Sequence, residues 1–540
     1  MPRIIIDNLE VECRDGIPVL QAALEAGWDV PHYCYHPGLS IVASCRLCLM
    51  EMKMPHPKTR ELVWSPKLVP SCQTPVRDGM EVRFDSDLIR KNQQSCMEFY
   101  LLNHPLDCPV CDQAGECYLQ DYSFHFGRGE SRMVDEKWKN PKKDIGPHTL
   151  LYQDRCVMCS RCVRFTDEIS GTHELCVVNR GVKSEIDVFP GRPLDNPLQG
   201  NVVDICPVGS LLDKSFLFKR RVWELRGTPS VCPGCATGCS IHVDHADGRV
   251  YRLKPRYNPR VNQWWMCDEG RFGFDYVHDR KRIASPKVRR GLEETTPSWQ
   301  DVPRILQFRL EEHVRECGPA SVAALLSPFM ACEEAFLLCG FLRQVAPQAT
   351  LAVGPIPVRG EAQRFPVGAA EGAEKFVILK EKCPNRRGVE TVIRAAGEPV
   401  LAYDQFLQNA QAKKFSAAWI VGGYPESWVD KELEKVRSSF KLLVVQDMFE
   451  NPLTEAASIV LPACAWVERE GTFVNADGIV QPFERAIDPP PGAQRDGQYL
   501  YEVAGRYGLF DVDAIRQEMA GVMPEMRDLY EAPAVAAHAH

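Results

Sequence analysis

The chain has 540 residues, 45% hydrophobic and 25% charged, with a formal net charge of −8. That is an ordinary globular composition, too long for one core, and roughly three to five domains are expected. The acidic balance excludes a nucleic-acid binder, because the basic runs Lys219-Arg220-Arg221 and Lys287-Val288-Arg289-Arg290 are short enough to be solvated faces or subunit contacts.

No apolar run approaches the roughly 18 to 20 residues that span a bilayer. The N-terminus shows neither a signal-peptide apolar region nor a transit pattern. A cytoplasmic chain, able to dock on a membrane partner, is expected. Cysteine is the outlier, at 23 residues. In a reducing compartment such a count points to metal or redox chemistry rather than disulfides. Fifteen of the 23 fall into four groups, and Cys13, Cys96, Cys176, Cys317, Cys332, Cys339, Cys383 and Cys464 read as buried small hydrophobes.

In chain order, Arg3-Ile4-Ile5-Ile6-Asp7 alternates as a strand and pairs within IIIDNLEVECR. A short helix opens at Pro18 and closes at Gly27. Next, CYHPGLSIVASCRLC and VPSCQTP place Cys34, Cys45, Cys48 and Cys72 at C-x10-C-x2-C-x23-C, and DGMEVRF closes as a strand. Strand, strand, helix, loop, strand is the order of a β-grasp 2Fe-2S ferredoxin. The first gap is longer than the plant-type C-x4-C-x2-C. Gly38, Ser40, Ala43 and Ser44 within it are small enough for backbone amides to approach sulfides.

LIRKNQQSCMEFYLLNH has helical spacing and sets His104 at a helix end. HPLDCPVCDQAGEC then supplies His104, Cys108, Cys111 and Cys117 at H-x3-C-x2-C-x5-C, read as a 4Fe-4S site, with zinc the alternative. A neutral imidazole removes one negative charge from a cluster, an exchange that raises the potential of Rieske centres. The same sign is expected here.

DRCVMCSRCVRF carries Cys156, Cys159 and Cys162, with Cys206-Pro207 downstream. In the bacterial ferredoxin run C-x2-C-x2-C-x3-C-P the last Cys serves a second cluster. Here that position is Thr166, so one 4Fe-4S cluster, completed by Cys206, is inferred. SEIDVFP between them reads as a strand. The fourth group, Cys232, Cys235, Cys239 and Cys267, at C-x2-C-x3-C-x27-C, is a further four-thiolate site, and zinc is a stronger rival for it than for the others.

There is no G-x-G-x-x-G after a strand and no G-x-x-x-x-G-K-[ST], so no nicotinamide, flavin or nucleotide pocket is expected. Gly422-Gly423 follows the strand-like run AAWIV but is weak support for one. No catalytic residues stand out. The chain is expected to conduct electrons between substrate sites held elsewhere.

Together the motifs resemble the large iron-sulfur subunit (the G, or 75-kDa-type, subunit) of bacterial NADH-quinone oxidoreductase, respiratory complex I, along the whole chain and most strongly before residue 280 or so. The resemblance implies one 2Fe-2S cluster on Cys34, Cys45, Cys48 and Cys72, and 4Fe-4S clusters on His104, Cys108, Cys111 and Cys117 and on Cys156, Cys159, Cys162 and Cys206. Cys232, Cys235, Cys239 and Cys267 match an additional 4Fe-4S cluster of some bacterial members, off the main path. SVAALLSPFMACEEAFLLCGFLRQV reads as strand, loop, helix, and FKLLVVQDMFENPLTEAASIVLPACAWVEREGTFVNADGIVQ looks like a shortened molybdopterin-oxidoreductase core. No cofactor-ligand loop follows LRQV, the lone Cys383 before Pro reads as structural, and no molybdopterin is expected.

The implied layout is multidomain α/β and α+β: 1–82 2Fe-2S ferredoxin-type, 83–145 a 4Fe-4S segment with one histidine and three cysteine ligands, 146–222 ferredoxin-like 4Fe-4S, 223–282 molybdopterin-oxidoreductase-type 4Fe-4S, and 283–540 a degenerate molybdopterin-oxidoreductase-like α/β domain. The resemblance also implies an FMN/NADH-binding partner subunit, other peripheral-arm iron-sulfur subunits, and a place on the cytoplasmic side of the bacterial inner membrane. The alternatives are a relay subunit of a soluble NAD-linked formate dehydrogenase or hydrogenase, and a zinc-stabilised scaffold. The last residues, EAPAVAAHAH with His538 and His540, are expected to form a flexible tail.

Overall fold

The structure is a computed structural model that describes residues 1–56, 58–59, 61–397 and 399–527. The expected tail lies outside the described residues. The chain forms two compact units, one of Met1–Leu225 with Arg364–Phe376 and the other of Arg226–Gln363 with the described residues from Val377 to Arg527. Among the described residues no helix is long and apolar enough to cross a membrane.

The first unit opens with β1 (Arg3–Ile6) and β2 (Leu9–Glu12), paired antiparallel in the register Arg3↔Glu12 to Ile6↔Leu9. Asp7 and Asn8 turn the hairpin at φ 47° and 69°, the double positive φ of a type I′ turn, which Asp and Asn tolerate. This is why the strand stops at Ile6 rather than Asp7. Helix α1 (Val19–Glu25) follows with Pro18 as its cap, and Gly27 lies beyond its end at φ 90°. Strands β3 (Leu49–Pro55), β4 (Leu62–Trp64), β5 (Val69–Pro70) and β6 (Glu81–Arg83) complete a sheet of order β2-β1-β6-β3-β4, with β5 on β3 and β6 parallel to β1. Ile4, Ile6, Leu20, Ala23, Met50 and Val82 fill its core, and Cys48 and Cys72 are part of it. The two opening strands, the helix and the closing strand fall in the expected order, while β3, β4 and β5 are strands where the sequence predicts only loop.

Helix α2 (Asp87–Leu101) is capped by Ser86, whose hydroxyl accepts from the Ile89 N–H. His104 lies three residues past its end, not in its last turn. Lys137 Nζ donates to the carbonyls of Leu101 and Leu102 at 2.6 and 3.0 Å and closes that end. Helix α3 (Tyr118–Phe126) starts directly after Cys117.

In the second unit, a three-stranded antiparallel sheet (Arg226–Val231, Ser240–Ala246, Arg249–Pro255) precedes a seven-stranded one. Five of the seven strands are parallel: Val322–Leu326, Thr350–Val353, Ala417–Val421, Leu442–Asp447 and Ile459–Pro462. Their spatial order is 2-1-3-4-5, a doubly wound sheet. Consecutive strand residues divide between two cores. Ala324, Leu326, Trp419, Val421 and Val444 enter one, while Ala323, Leu325, Ala418, Ile420 and Val445 enter the other. Helices on both faces explain why these strands read as unbroken apolar runs.

Candidate metal centres

The first group occupies the loop before β3 and the short turn Ser71–Gln73. Positive φ at Ala43 (49°) and Arg46 (59°) folds the loop back on itself. The four sulfurs divide into two hydrogen-bonded pairs, Cys34 with Cys45 and Cys48 with Cys72. The hydrogen bond from its partner lowers the Cys34 thiol to about 5 and the Cys48 thiol to about 7, while Cys45 and Cys72 are pushed up. The Tyr33 N–H points at Cys45 Sγ at 3.5 Å, and Tyr100 Oη donates to the Cys45 carbonyl at 3.1 Å.

The second group lines a small cavity bordered by His104, Cys108, Cys111, Cys117, Arg155 and Gly209. Burial, reinforced by the Arg155 charge, lowers the His104 imidazole to about 4, so it is neutral and able to act as a donor ligand. Burial raises the Cys117 thiol to about 12. Arg155 is itself buried, and its guanidinium pairs with Asp107 at 2.8 Å.

The third group lines a neighbouring small cavity, with Cys156, Cys159, Cys162, Cys206, Arg161, Val208 and Ser210 on its walls. Met158 (φ 50°) and Ser160 (φ 57°) take left-handed conformations ahead of α4 (Arg161–Phe165). The Met158 N–H reaches Cys156 Sγ at 3.3 Å. Thr166, where a second-cluster cysteine would stand, is fully buried and donates its hydroxyl to the Val163 carbonyl at 2.9 Å. The segment Cys206–Leu211 separates the two cavities. Val208 and Ser210 face the third while Gly209 faces the second, where a Cβ would meet Cys111 Sγ at 2.3 Å. Sequence spacing does not reveal this shared wall, since it depends on how the bends and turns of residues 207–210 aim their side chains.

These three groups also share one apolar core, which contains Cys34, Cys45, Cys117 and Cys159 together with Tyr33, Leu47, Met97, Leu119, Tyr122, Val157 and Val208. Within it, Tyr33 packs on Tyr100 and Tyr122 at 5.0 and 5.5 Å between ring centroids.

The fourth group belongs to the other unit. Cys232, Cys235 and Cys239 lie between Arg226–Val231 and Ser240–Ala246, and Cys267 caps the helix Asp268–Phe272. Gly270 packs against two of the sulfurs, because a Cβ there would meet Cys232 Sγ at 2.6 Å and Cys267 Sγ at 3.7 Å. Burial raises the Cys232 thiol to about 12 and pushes Cys239 and Cys267 up further, with neighbouring thiols adding to the effect.

Among the described residues, no three His, Cys, Asp or Glu side chains close tightly enough to grip a single metal ion. Thiols that burial pushes up, such as Cys117, Cys162 and Cys239, ionise only with a compensating cationic centre beside them.

The remaining cysteines differ from expectation in part. Cys13, Cys332, Cys339, Cys383 and Cys464 are buried, but Cys96, Cys176 and Cys317 are only half-buried. Cys96 lies on the outer side of α2 with its sulfur 3.7 Å from the Arg46 carbonyl, and Cys176 lies on a short two-stranded ribbon. The Gly422-Gly423 pair makes room for a side chain of this chain, not for a phosphate. A Cβ at Gly422 would strike the Asp447 carboxylate at 2.5 Å, and the Gly423 N–H donates to it at 2.9 Å.

At the carboxyl ends of the parallel strands, where doubly wound folds bind ligands, side chains of this chain pack on one another. Tyr424 stacks on Trp428 at 4.7 Å, meets Phe329 edge-on at 4.9 Å, and donates its hydroxyl to the Pro355 carbonyl. Asp447 takes up Trp428 Nε1 and Asn451 Nδ2 at 2.8 and 2.7 Å. Cys383 packs beside Phe329 and Tyr424.

Comparison with known proteins places these groups. Residues 3–87 match the 2Fe-2S iron-sulfur cluster binding domain, 93–132 the NADH-ubiquinone oxidoreductase-G iron-sulfur binding region, and 146–212 the ferredoxin-like domain of NADH-quinone oxidoreductase subunit 3. Residues 225–279 match the molybdopterin oxidoreductase Fe4S4 domain and 369–506 molybdopterin oxidoreductase. The G subunit of NADH-quinone oxidoreductase from Rickettsia felis is 28% identical over 96% of this chain and 90% of its own length. The mitochondrial NADH dehydrogenase (ubiquinone) iron-sulfur protein 1 of Solanum tuberosum is 31% identical over 98% of this chain and 84% of its own. A chain in a crystal structure of an NAD+-reducing NiFe hydrogenase is 27% identical, covering 41% of this chain and 91% of that one, with a TM-score of 0.36. With its iron-sulfur domains in the same succession and its likeness to the plant protein running nearly end to end, this chain belongs to the family of the large iron-sulfur subunit of NADH-quinone oxidoreductase.

Proposed function

We propose that the chain relays electrons inside an NADH-quinone oxidoreductase, holding one two-iron and three four-iron clusters. The observation that carries the reading is the common apolar core, a single continuous cluster that contains cysteines of the first three groups. Such clusters accept and release single electrons at potentials set by ligand type, net charge and hydrogen bonding.

Cys34 and Cys45 would hold one iron of the two-iron site and Cys48 and Cys72 the other, following their observed pairing. His104, Cys108, Cys111 and Cys117 would hold the second cluster, Cys156, Cys159, Cys162 and Cys206 the third, and Cys232, Cys235, Cys239 and Cys267 the fourth. The ligand groups divide the chain near residues 82, 145, 222 and 282. The fourth group belongs to a different compact unit from the other three, in keeping with a centre off the main route.

This chain's residues keep water out, fix the ligands and set the charge around each site. The NADH site with its FMN would be on a partner subunit, and further iron-sulfur subunits of the peripheral arm would carry electrons on toward quinone. Proton translocation would fall to membrane subunits, with this chain held at the cytoplasmic face of a bacterial inner membrane. Molybdopterin has no place in this reading, because Tyr424, Trp428, Phe329 and Asp447 pack on one another at the strand ends that would receive it.

The test is anaerobic purification with analysis of iron, acid-labile sulfide, molybdenum and tungsten, EPR after reduction, and identification of co-purifying chains. Iron and sulfide near cluster stoichiometry, with an FMN-binding chain and membrane proteins, is the expected result. Absence of labile sulfide overturns the relay, and stoichiometric molybdenum or tungsten overturns the exclusion of molybdopterin.

A further inference from the structure

Two arginines in the first unit are buried without a carboxylate partner. Arg161 and Arg164 are 5% and 7% exposed, and among the described residues neither forms an ion pair within 4.0 Å. Burying an uncompensated guanidinium is unfavourable by several kcal/mol, so a counter-charge has to come from somewhere. Arg155, equally buried, has Asp107. Glu168, the acid whose charge is felt at Arg164, is engaged with the Ser40 N–H at 2.9 Å and with its hydroxyl.

The contacts these two arginines do make run between ligand loops. Arg164 Nη2 donates to the Cys34 carbonyl at 2.6 Å and to the Cys159 carbonyl at 3.1 Å, so one nitrogen touches a residue of the first group and one of the third. Arg161 Nη1 donates to the Ile205 carbonyl at 3.1 Å, beside Cys206, and its Nη2 to the Tyr35 carbonyl, beside Cys34. Arg161 also lines the third cavity. The Nε–H of each is buried with no acceptor.

We propose that Arg161 and Arg164 form a cationic bridge between the first and third thiolate groups, acting as positioning residues that tie the two loops together and supply the counter-charge that both clusters share. The inference rests on the relay reading above. Adding an electron makes a cluster more negative, so a nearby fixed cation favours the reduced form. Removing the cation lowers the potential.

The test uses the assembled complex purified anaerobically, with Arg161→Gln, Arg164→Gln and the charge-retaining Arg161→Lys and Arg164→Lys, each followed by EPR during redox titration. In the Gln forms the reduced-to-oxidised ratio at fixed poise should fall about tenfold, equivalent to about 59 mV for one electron. Arg164→Gln should shift both the two-iron and the third-site signals, and Arg161→Gln chiefly the third. The His104-site signal, whose neighbouring Arg155 keeps its own carboxylate, should hold still. The Lys forms should stay near the unmodified midpoints, and loss of a cluster in a Gln form with retention in the Lys form supports the bridge equally. Unchanged midpoints in the Gln forms overturn it. So does equal loss of signal in the Gln and Lys forms, which would leave only a scaffolding role. An unmodified protein with no cluster signals would refute the relay reading itself, a separate outcome.

Discussion

Gly209→Ala tests whether the second and third groups hold clusters on opposite sides of one segment. Gly209 is not in a left-handed conformation, so alanine brings no backbone strain, only a methyl group. That methyl would lie 2.3 Å from Cys111 Sγ and 3.1 Å from Gln113 Cβ. Ordinary contact is about 3.7 Å, so sulfur and methyl must part by about 1.4 Å, far beyond the roughly 0.2 Å that a metal-ligand distance tolerates. The wall cannot easily retreat, because Ser210 is tied to Tyr152 through its carbonyl at 2.7 Å and its hydroxyl at 3.1 Å. Cys111 must therefore rotate away, which a cluster-free chain permits. The expected outcome is loss of about four iron atoms per chain and of the His104-site EPR signal. The two-iron and third-site signals should remain, with little change in thermal unfolding. A variant that keeps its full iron content and an unshifted signal at that site would refute the geometry argued for Cys111.

His104→Cys should keep a cluster at a lower potential, since a thiolate replaces a neutral imidazole; an unchanged midpoint in redox titration would show that His104 is not a ligand. Cys239→Ala should remove one four-iron signal yet leave NADH-to-quinone electron flow largely intact, and complete loss of turnover in an assembled complex would contradict a centre off the main route. A pH dependence should come from the second unit, where burial raises Glu334 to about 8 and Asp496 to about 6 as both flank the single guanidinium of Arg469 at 2.8 and 3.2 Å. Both values lie above those of the unfolded chain, so the folded state binds more protons and stability falls as pH rises through them. Between pH 6.5 and 8.5 the fall should be on the order of 2 kcal/mol, read from thermal or denaturant unfolding. Glu334→Gln should flatten it, and a stability that rises over that window in the unmodified protein would reverse the assignment.

The ligand groups are legible in the sequence because thiolate spacing is short-range: C-x2-C places two sulfurs on one turn whatever the rest of the chain does. The hairpin, α1 and the closing strand β6 are legible for the same local reason. Runs such as SVAALL and KLLVV indicate strand, loop and helix through their length and punctuation, although the two-sided burial of Val322–Leu326 and Leu442–Asp447 emerges only once helices cover both faces. The contacts that join groups are not legible. Arg164 meets Cys34 across 130 positions and Gly209 meets Cys111 across 98, and no local pattern encodes such separations. The apolar spacing of Leu101 and Leu102 carries the expected helix on to His104, yet the Lys137 ammonium on their carbonyls closes the helix first.

The turning segment from Cys206 to Leu211 has a genetic corollary. Inserting or deleting one residue there would carry Gly209 away from Cys111 and bring the side chain of a neighbour, Val208 or Ser210, against the sulfur. A frame error of one position would thus spoil two centres together, and neither centre can drift in sequence at this place without the consent of the other.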